Sequence, residues 1–227
     1  MPAALMLFAA GFGTRMRPLT DSRPKPLIPV AGRALIDHAR DQAAGLPSLV
    51  TVANAHYMAD QVEGHLAGTG VTVNRESPDI LDTGGGLLNA LPLLGNGPVF
   101  CLNTDAVWAG PPALKVLLEG WDPERMDGLL LCVSPDNSRG HPGTGDFTLD
   151  AEGRVTPGAG LNYTGAQILK TDLLSEIEGP AFSVWKLWER MIARKRLFAQ
   201  PYPGLWCDVG RPENIAEAEA MLNTPDV

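Results

Sequence analysis

The stretch that decides the fold covers residues 5–26 and reads LMLFAAGFGTRMRPLTDSRPKP. It opens with four apolar residues, as in a buried β-strand, and two glycines follow closely at Gly11 and Gly13. Glycine lets the backbone turn tightly with its N–H groups exposed, which is an arrangement that binds polyphosphates. Arg15 and Lys25 bring fixed positive charge to the same place. The stretch therefore predicts a nucleoside triphosphate site where a strand becomes a loop.

Composition excludes several classes of protein. The 227-residue chain has 18 Lys and Arg residues against 26 Asp and Glu residues, a formal net charge of −8. This acidic balance argues against a nucleic-acid or membrane-surface binder, which needs a broad basic face. We find no apolar run of membrane-spanning length and no signal-peptide pattern before the first strand. Three cysteines, two of them inside apolar runs, indicate reduced buried thiols, so we expect a cytoplasmic protein.

Short apolar runs alternate with helical patterns, which predicts an α/β fold with a Rossmann-like, mainly parallel sheet flanked by helices. The expected strands are Ala4–Ala9, Leu49–Ala53, Val71–Arg75, Val99–Asn103, Leu129–Val133, Asp146–Asp150, Tyr163–Leu169 and Leu197–Tyr202. The expected helices are Ala34–Ala44, Met58–Leu66, Gly86–Leu91, Pro112–Glu119, Val184–Arg194 and Pro212–Leu222. Such sheets bind ligands at the carboxyl ends of their strands, where the glycine-rich loop is expected.

The glycine-rich loop fits neither of the two common phosphate-binding motifs. A P-loop needs Gly-Lys-Ser/Thr, and the dinucleotide fingerprint needs a third glycine after Gly13. The loop instead matches GxGxRxxPxTxxxPKP at every fixed position, which are Gly11, Gly13, Arg15, Pro18, Thr20, Pro24, Lys25 and Pro26. This pattern resembles the signature of the sugar-1-phosphate nucleotidyltransferases, and the resemblance extends over nearly the whole chain.

The resemblance implies an enzyme that converts an NTP and a sugar 1-phosphate into an NDP-sugar and pyrophosphate. It implies the nucleotide-diphospho-sugar transferase type of sheet, in a single domain whose nucleotide-binding part covers roughly 1–110 and whose small sugar-binding part covers roughly 111–227. It also implies that Arg15 binds the triphosphate and that Lys25 contacts the α-phosphate region. The loop residues that join them in the nucleotide site are Ala10, Gly11, Phe12, Gly13 and Thr14.

A second glycine-rich segment, Leu81–Gly86, reads LDTGGG and precedes an apolar helical pattern. Three consecutive glycines allow the backbone to approach a flat ligand or a phosphate closely, so we interpret the segment as a loop that leads into a helix. A flexible loop with no ligand is the alternative. The resemblance places Thr83, Gly84 and Gly85 against the nucleobase.

Two aspartates are candidates for a metal site. Asp105 follows the strand pattern VFCLN in an Asn-Thr-Asp triplet, where the family usually has Asn-Gly-Asp or Asn-Ser-Asp, and Asp208 lies in WCDVG. Phosphoryl transfer needs a cation that offsets the phosphate charge, and carboxylates are natural Mg²⁺ ligands. We therefore predict Mg²⁺ as the cofactor, although an aspartate that caps a helix is the alternative at either position. The predicted catalytic residues are Arg15, Lys25 and Asp105.

Two further segments, Gly143–Phe147 (GTGDF) and Tyr163–Gly165 (YTG), resemble elements that line the sugar-1-phosphate pocket of the family. A carboxylate such as that of Asp146 can accept hydrogen bonds from sugar hydroxyls, but a turn residue that opens a strand is an equally good explanation. The predicted sugar-phosphate-binding residues are Gly145, Asp146, Tyr163, Thr164 and Gly165.

Within the family, the compact length and the TGGG, GDF, YTG and terminal W-x-DVG elements resemble the short bacterial N-acetylmuramate α-1-phosphate uridylyltransferases of peptidoglycan recycling. This resemblance implies UTP as the donor. We expect a monomer or small homo-oligomer, and the acidic balance predicts neither nucleic acid nor membrane as a partner. A guanylyltransferase for mannose 1-phosphate or a heptose 1-phosphate is an alternative. Two alternatives lie outside this group of enzymes. One is a non-catalytic nucleotide-sugar sensor, and the other is a transferase that acts on phosphocholine.

Overall fold

The structure, a computed structural model, describes residues 1–224, so residues 225–227 of the predicted sugar-binding part lie outside it. Its strands are β1 Ala4–Phe8, β2 Pro29–Val30, β3 Arg33–Ala34, β4 Val50–Ala55, β5 Val71–Arg75, β6 Val99–Asn103, β7 Ala106–Ala109, β8 Gly128–Val133, β9 Ser138–Arg139, β10 Phe147–Leu149, β11 Val155–Pro157, β12 Asn162–Leu169, β13 Leu197–Pro201 and β14 Leu205–Asp208. Its helices are α1 Leu35–Asp41, α2 Ala59–Leu66, α3 Asp82–Leu94, α4 Ala113–Gly120, α5 Trp185–Ala193 and α6 Glu213–Leu222.

The central feature is a seven-stranded sheet in the order β13-β8-β12-β6-β1-β4-β5. Strand β1 is parallel to β4 and β6, β4 is parallel to β5, and β8 is parallel to β13. Only β12 runs in the opposite direction to its neighbours within this sheet. The predicted mixed, mainly parallel α/β sheet is therefore confirmed.

The apolar run at the start of the chain is buried on both faces of this sheet. Leu5 and Leu7 pack on one face with α1, α2 and α4, whereas Ala4 and Met6 pack on the other face with α3 and α5. Each of these four side chains is at least 97% buried. Full burial of one large aliphatic side chain contributes about 1.5–3 kcal/mol, so this strand anchors both layers of helices. No helix among residues 1–224 is long and apolar enough to cross a bilayer.

One edge of the sheet collects the segments that carry chemistry. Strands β1, β4, β5 and β6 all end there, because parallel strands have their carboxyl ends on the same side. Strand β12 begins there, since it is antiparallel and pairs Ala166 with Leu102 of β6. At the start of β12, a Cβ on Gly165 would lie 2.8 Å from the Cβ of Asn103. The YTG segment therefore adjoins the end of the VFCLN strand.

A second sheet of three strands, β7-β14-β9, was not predicted from the sequence. Its strands are short, and they are joined across about a hundred residues of chain, so local periodicity gives them little signal. The antiparallel register of β7 and β14 places Asp208 opposite Ala106. This register brings Asp208 next to Asp105, which immediately precedes β7.

The interpretation of Leu81–Gly86 as a loop is wrong, because α3 begins at Asp82 and contains all three glycines. The N–H groups of Gly84 and Gly85 both donate to the carbonyl oxygen of Phe182, at 2.9 and 3.0 Å. A Cβ on Gly84 would lie 2.5 Å from the Phe182 ring, and one on Gly85 would overlap the carbonyl oxygen of Pro180. The glycines therefore let the helix pack closely against the chain, and this packing overrides their low helix propensity.

Elsewhere the predicted elements are present, with ends that differ by a few residues. The predicted helix Gly86–Leu91 is longer in the structure, where it covers Asp82–Leu94, and at Ala34–Ala44 the helix covers only Leu35–Asp41 and the chain continues as turns. The predicted strand Asp146–Asp150 is reduced to Phe147–Leu149, and the carboxylates of Asp146 and Asp150 accept hydrogen bonds from the backbone N–H groups of Tyr163 and Arg154.

Replacement of Gly85 by Ala is expected to lower the free energy of unfolding by about 1–3 kcal/mol, because the added Cβ overlaps Pro180. Gly64→Ala is the matched control, since Gly64 lies in α2 and a methyl group added there would have nothing within 4 Å. That control is expected to raise the free energy of unfolding by about 0.5–1 kcal/mol. Urea denaturation measures both, and a Gly85→Ala protein as stable as the wild type would contradict the packing explanation.

Candidate active site

A cleft opens at the carboxyl edge of the main sheet and brings three of the predicted segments together. It lies between the loop after β1, the segment that leads into α3, and the end of β6. Its lining residues are Phe8, Ala9, Ala10, Gly11, Lys25, Pro26, Asn54, Ile80, Asp82, Thr83, Asn103, Thr104 and Asp105. The cleft thus joins the predicted nucleotide segments to the predicted metal ligand Asp105.

The glycine-rich loop is held in shape by its own signature residues. Gly13 has a φ of 62°, and a Cβ there would lie 2.9 Å from side-chain carbons of both Lys25 and Thr20. The Thr20 hydroxyl donates to the carbonyl oxygen of Gly13 at 2.9 Å, and the Tyr57 hydroxyl donates to that of Thr20 at 2.9 Å. Glycine is therefore required at position 13 both by the backbone angle and by the close approach of two side chains.

Phe12 lies outside the lining of the cleft. Its side chain is 46% exposed, and its ring packs against His56 and Tyr57 with centroid distances of 5.5 and 5.8 Å. A nucleotide contact by Phe12 or by its neighbour Thr14 stays a prediction.

Of the predicted residues Thr83, Gly84 and Gly85, Thr83 is the one that lines the cleft, next to Asp82. Its hydroxyl oxygen accepts a hydrogen bond from the N–H of Val184 at 2.9 Å, which fixes its position. Gly84 and Gly85 face the segment around Phe182, as described above. A nucleobase contact by this segment stays a prediction, and Thr83 is the member placed to make it.

The charged centre of the cleft is an ion pair between Lys25 and Asp105. Lys25 Nζ donates to Asp105 Oδ2 at 2.7 Å, and the Lys25 side chain is only 12% exposed. A charge-assisted hydrogen bond in a partly buried site is stronger than a surface ion pair. Lys25 therefore provides the positive charge next to the carboxylate in this structure.

Asp208 adds a second carboxylate to this centre. The N–H of Val209 donates to the backbone carbonyl of Asp105 at 2.8 Å, which keeps the two aspartates adjacent. Burial, and then the negative charge of Asp105, raise the pKa of Asp208 to about 6. Lys25, Arg15 and His141 oppose this shift, so Arg15 lies within electrostatic reach of the pair.

The paired carboxylates fit a magnesium ion. Their mutual repulsion, which contributes to the raised pKa of Asp208, is the kind that a divalent cation relieves. Within residues 1–224 no group of three or more His, Cys, Asp or Glu side chains forms a metal cluster. Zinc sites need three or four protein ligands, whereas Mg²⁺ is typically bound by one or two carboxylates together with substrate phosphates. The donor set therefore favours Mg²⁺.

The predicted sugar residues lie along β12 and the loop before β10. Asp146 Oδ2 accepts a hydrogen bond from the N–H of Tyr163 at 2.8 Å, which supports its structural role in joining the two segments. The Thr164 hydroxyl donates to the carbonyl oxygen of Leu131 at 2.8 Å inside the sheet. Gly165 has a φ of +83° and leaves room for Asn103. A sugar contact by these residues or by Gly145 stays a prediction.

Tyr163 carries a polar group that the protein encloses. Its hydroxyl is buried and has no hydrogen-bond partner in the described part of the chain. Burial is the main cause that raises the pKa of Tyr163 well above its ordinary value, so the phenol is neutral at physiological pH. Its ring packs edge-on against Trp188 at a centroid distance of 5.0 Å. A contact between this hydroxyl and a sugar stays a prediction.

Two buried polar residues were missed from the sequence: Asn54, which lines the cleft, and Glu76, which accepts a hydrogen bond from Asn54. Asn54 and Glu76 are 3% and 2% exposed, and they form a hydrogen bond of 2.7 Å between Asn54 Nδ2 and Glu76 Oε1. Both residues lie at the carboxyl end of a predicted strand. Because ligands bind at these ends in such sheets, their position could have marked them as candidate site residues.

Known proteins similar to this chain share one type of domain. A model of the MobA-like NTP transferase domain matches residues 5–152. An N-acetylmuramate alpha-1-phosphate uridylyltransferase of Caulobacter vibrioides is 42% identical over 97% of this chain and 97% of its own length. A protein of the same name from Neisseria meningitidis serogroup B is 34% identical over 95% of this chain and 96% of its own length.

A solved structure of a UDP-glucose pyrophosphorylase complexed with UDP-glucose has the same architecture. It superposes with a TM-score of 0.75 over 97% of this chain and 98% of its own, at 20% sequence identity. At that identity the likeness concerns the fold alone, which is of the nucleotide-diphospho-sugar transferase type.

Replacement of Asp208 by Asn is expected to stabilise the metal-free protein above about pH 6. Folding raises the pKa of Asp208 from 3.8 to about 6, so between these values the folded protein binds a proton that the unfolded chain has released. The free energy of unfolding of the wild type therefore falls as the pH rises through this window. The Asp208→Asn protein does not show this fall, because an amide does not titrate. We expect a gain of about 1–3 kcal/mol near pH 7.5 that vanishes near pH 4.

Urea denaturation in EDTA at several pH values measures this gain. Asp136→Asn, which changes an exposed aspartate, is the matched control and should show no such pH-dependent difference. A constant difference between Asp208→Asn and the wild type at all pH values would contradict the assigned cause.

Proposed function

We propose a substrate pair for this chain, which belongs to the MobA-like NTP transferase family: UTP as the donor and N-acetylmuramate α-1-phosphate as the acceptor. The chain is a sugar-1-phosphate nucleotidyltransferase. The choice of substrates is supported by the names of its two near-full-length relatives. The observation that carries the chemistry is the ion pair of Lys25 and Asp105 beside Asp208, at the end of a cleft that starts with a glycine-rich loop.

The proposed reaction is an in-line displacement at phosphorus. A phosphate oxygen of the sugar 1-phosphate forms a bond to the α-phosphorus of UTP, the bond from that phosphorus to the bridging oxygen breaks, and pyrophosphate leaves with the electron pair. The attacking oxygen is already anionic at neutral pH, so the reaction needs no general base. The protein contributes orientation and charge neutralisation.

Each charged residue then has its own role. Backbone N–H groups of the glycine-rich loop and the guanidinium of Arg15 bind the triphosphate, and Lys25 binds the α-phosphate. Asp105 and Asp208 would hold Mg²⁺, which when bound offsets the charge of the phosphates. The ammonium group of Lys25 has three N–H donors, so it can bind the α-phosphate while it keeps its hydrogen bond to Asp105.

The acceptor is expected on the other side of the centre, in the part of the chain from about residue 111 onwards. Asp146 and Tyr163, which a hydrogen bond joins, are proposed to contact the sugar. The buried thiols of Cys101 and Cys132, whose pKa values burial raises, suit a reducing cytoplasm. Such an activity belongs to the recycling of peptidoglycan sugars, and a monomer or small homo-oligomer would suffice for it.

The variants Lys25→Ala and Asp105→Asn are each expected to lose most turnover. Loss of one preorganised charge contact raises the activation free energy for kcat/KM by about 2–4 kcal/mol, so kcat/KM falls roughly 30-fold to 1,000-fold. Arg17→Ala is the control, because Arg17 is an exposed cation of the same loop that pairs with the equally exposed Asp21. Steady-state pyrophosphate release with Mg²⁺ measures all three, and near-normal rates in either variant would contradict the site.

The substrates are tested by crossing UTP, GTP, CTP and ATP with several acceptors. The acceptors are N-acetylmuramate α-1-phosphate, mannose 1-phosphate, a heptose 1-phosphate and phosphocholine, and pyrophosphate release is measured. Turnover highest with UTP and the muramate supports the proposal, whereas preference for GTP with mannose or heptose phosphate supports the guanylyltransferase. Turnover with phosphocholine alone overturns the sugar assignment, and no turnover with any pair indicates a sensor.

A further inference from the structure

The nucleotide cleft has two walls, and one pair of buried side chains connects them. The first wall is formed by Ala9–Gly11 after β1, and the second by Ile80 and the first residues of α3, Asp82 and Thr83. Asn54, which lines the cleft, lies opposite Phe8 in the register of β4 and β1, and Glu76 directly follows β5. The two side chains thus lie between the walls.

Three hydrogen bonds run without interruption from wall to wall. Asn54 Oδ1 accepts from the N–H of Ala9 at 2.7 Å, and Asn54 Nδ2 donates to Glu76 Oε1 at 2.7 Å. Glu76 Oε2 then accepts from the N–H of Leu81 at 2.8 Å. Since both side chains are almost fully buried, water does not compete for these bonds, and they are strong.

The chemistry of the two side chains fixes the orientation of the Asn54 amide group. A carboxylate only accepts hydrogen bonds, so Asn54 must turn its NH₂ group to Glu76 and its oxygen to Ala9. A Cβ on Gly86 would lie 2.7 Å from both Asn54 Nδ2 and Glu76 Oε1. The third glycine of α3 therefore makes room for the pair, which ties the helix to the same network.

We propose that Asn54 and Glu76 are positioning residues that set the distance between the two walls, and through it the affinity and base selectivity for the nucleotide. They act through the backbone of Ala9 and Leu81. The inference rests on the proposed function of the cleft as the nucleotide site. A nucleobase is flat and rigid, so a change in wall separation of well under 1 Å alters its contacts with both walls.

The amide and the carboxylate can be exchanged between the two positions, and the double variant keeps the net charge. In Glu76→Gln the residue offers one acceptor and one donor, so either Asn54 or the N–H of Leu81 loses its partner. In Asn54→Asp two carboxylates face each other. In the double variant N54D/E76Q, the new carboxylate accepts from both the N–H of Ala9 and the new glutamine amide. The oxygen of that amide accepts from Leu81, so all three hydrogen bonds return.

Isothermal titration with UTP and the other three NTPs, with no acceptor present, measures the consequence directly. Each single variant is expected to bind UTP about tenfold more weakly and to discriminate less between UTP and CTP, and the double variant is expected to regain most of both. In turnover, KM for the nucleotide should rise while KM for the sugar phosphate changes by less than about twofold.

A matched control separates positioning from stability. Gln167 is equally buried and accepts from Trp188 Nε1 at 2.8 Å on β12, away from the cleft. Gln167→Leu also leaves a buried donor without a partner, so a comparable fall in Tm is expected with nucleotide affinity unchanged. Hydrogen exchange of the Ala9 and Leu81 amides should speed up in the single variants and slow again in the double variant.

Three results would overturn the inference. Both single variants could bind nucleotide as the wild type does, or the double variant could restore amide protection without restoring affinity. The third result is a Gln167→Leu protein that binds nucleotide as weakly as the single variants.

A failure of the proposed function has a different signature. In that case the wild type releases no pyrophosphate from UTP and the muramate, while the titrations still report how the pair affects whichever NTP the protein binds. Absence of binding to all four NTPs would overturn both.

Discussion

The repulsion between two adjacent carboxylates is the constraint on which the rest of the site depends. Asp105 and Asp208 are separated by about a hundred residues of chain, and the pairing of β7 with β14 holds them together. Burial next to a like charge is unfavourable, as the raised pKa of Asp208 shows. The fold tolerates this unfavourable term because apolar clusters on both faces of the main sheet anchor β6, the strand that Asp105 follows. Lys25 supplies the compensating charge in the protein alone.

The glycines around the cleft serve packing as much as they serve ligand approach. Gly13 makes room for Lys25 and Thr20, and Gly86 makes room for Asn54 and Glu76. In both cases the absent side chain lets a functional group of the protein reach its position. A glycine-rich motif in a sequence therefore indicates close approach, but the partner that approaches can be a second segment of the same chain.

Features encoded in short stretches were predictable from the sequence, and features created by tertiary contacts were not. The strand at Ala4–Phe8 and the loop after it follow from apolar continuity and glycine spacing. The helical start at Asp82 was not predictable, because three glycines disfavour a helix unless tertiary contacts compensate, as where Phe182 accepts hydrogen bonds from Gly84 and Gly85. Asp208 was chosen by motif, but its contact with Asp105 depends on strands too short to be recognised. The link between Asn54 and Glu76 likewise depends on the register of three strands.

The cleft therefore combines a backbone that is set in advance with a charged centre that can take on further partners. The hydrogen bonds through Asn54 and Glu76 are complete without a ligand, so the walls are already in place before the nucleotide arrives. The ammonium group of Lys25 has three N–H donors, and its hydrogen bond to Asp105 uses one of them. In the proposed reaction the other donors bind the α-phosphate while Lys25 stays next to Asp105. That division suits nucleotidyl transfer, because the donor must be placed accurately while the charge around its α-phosphate changes during the reaction.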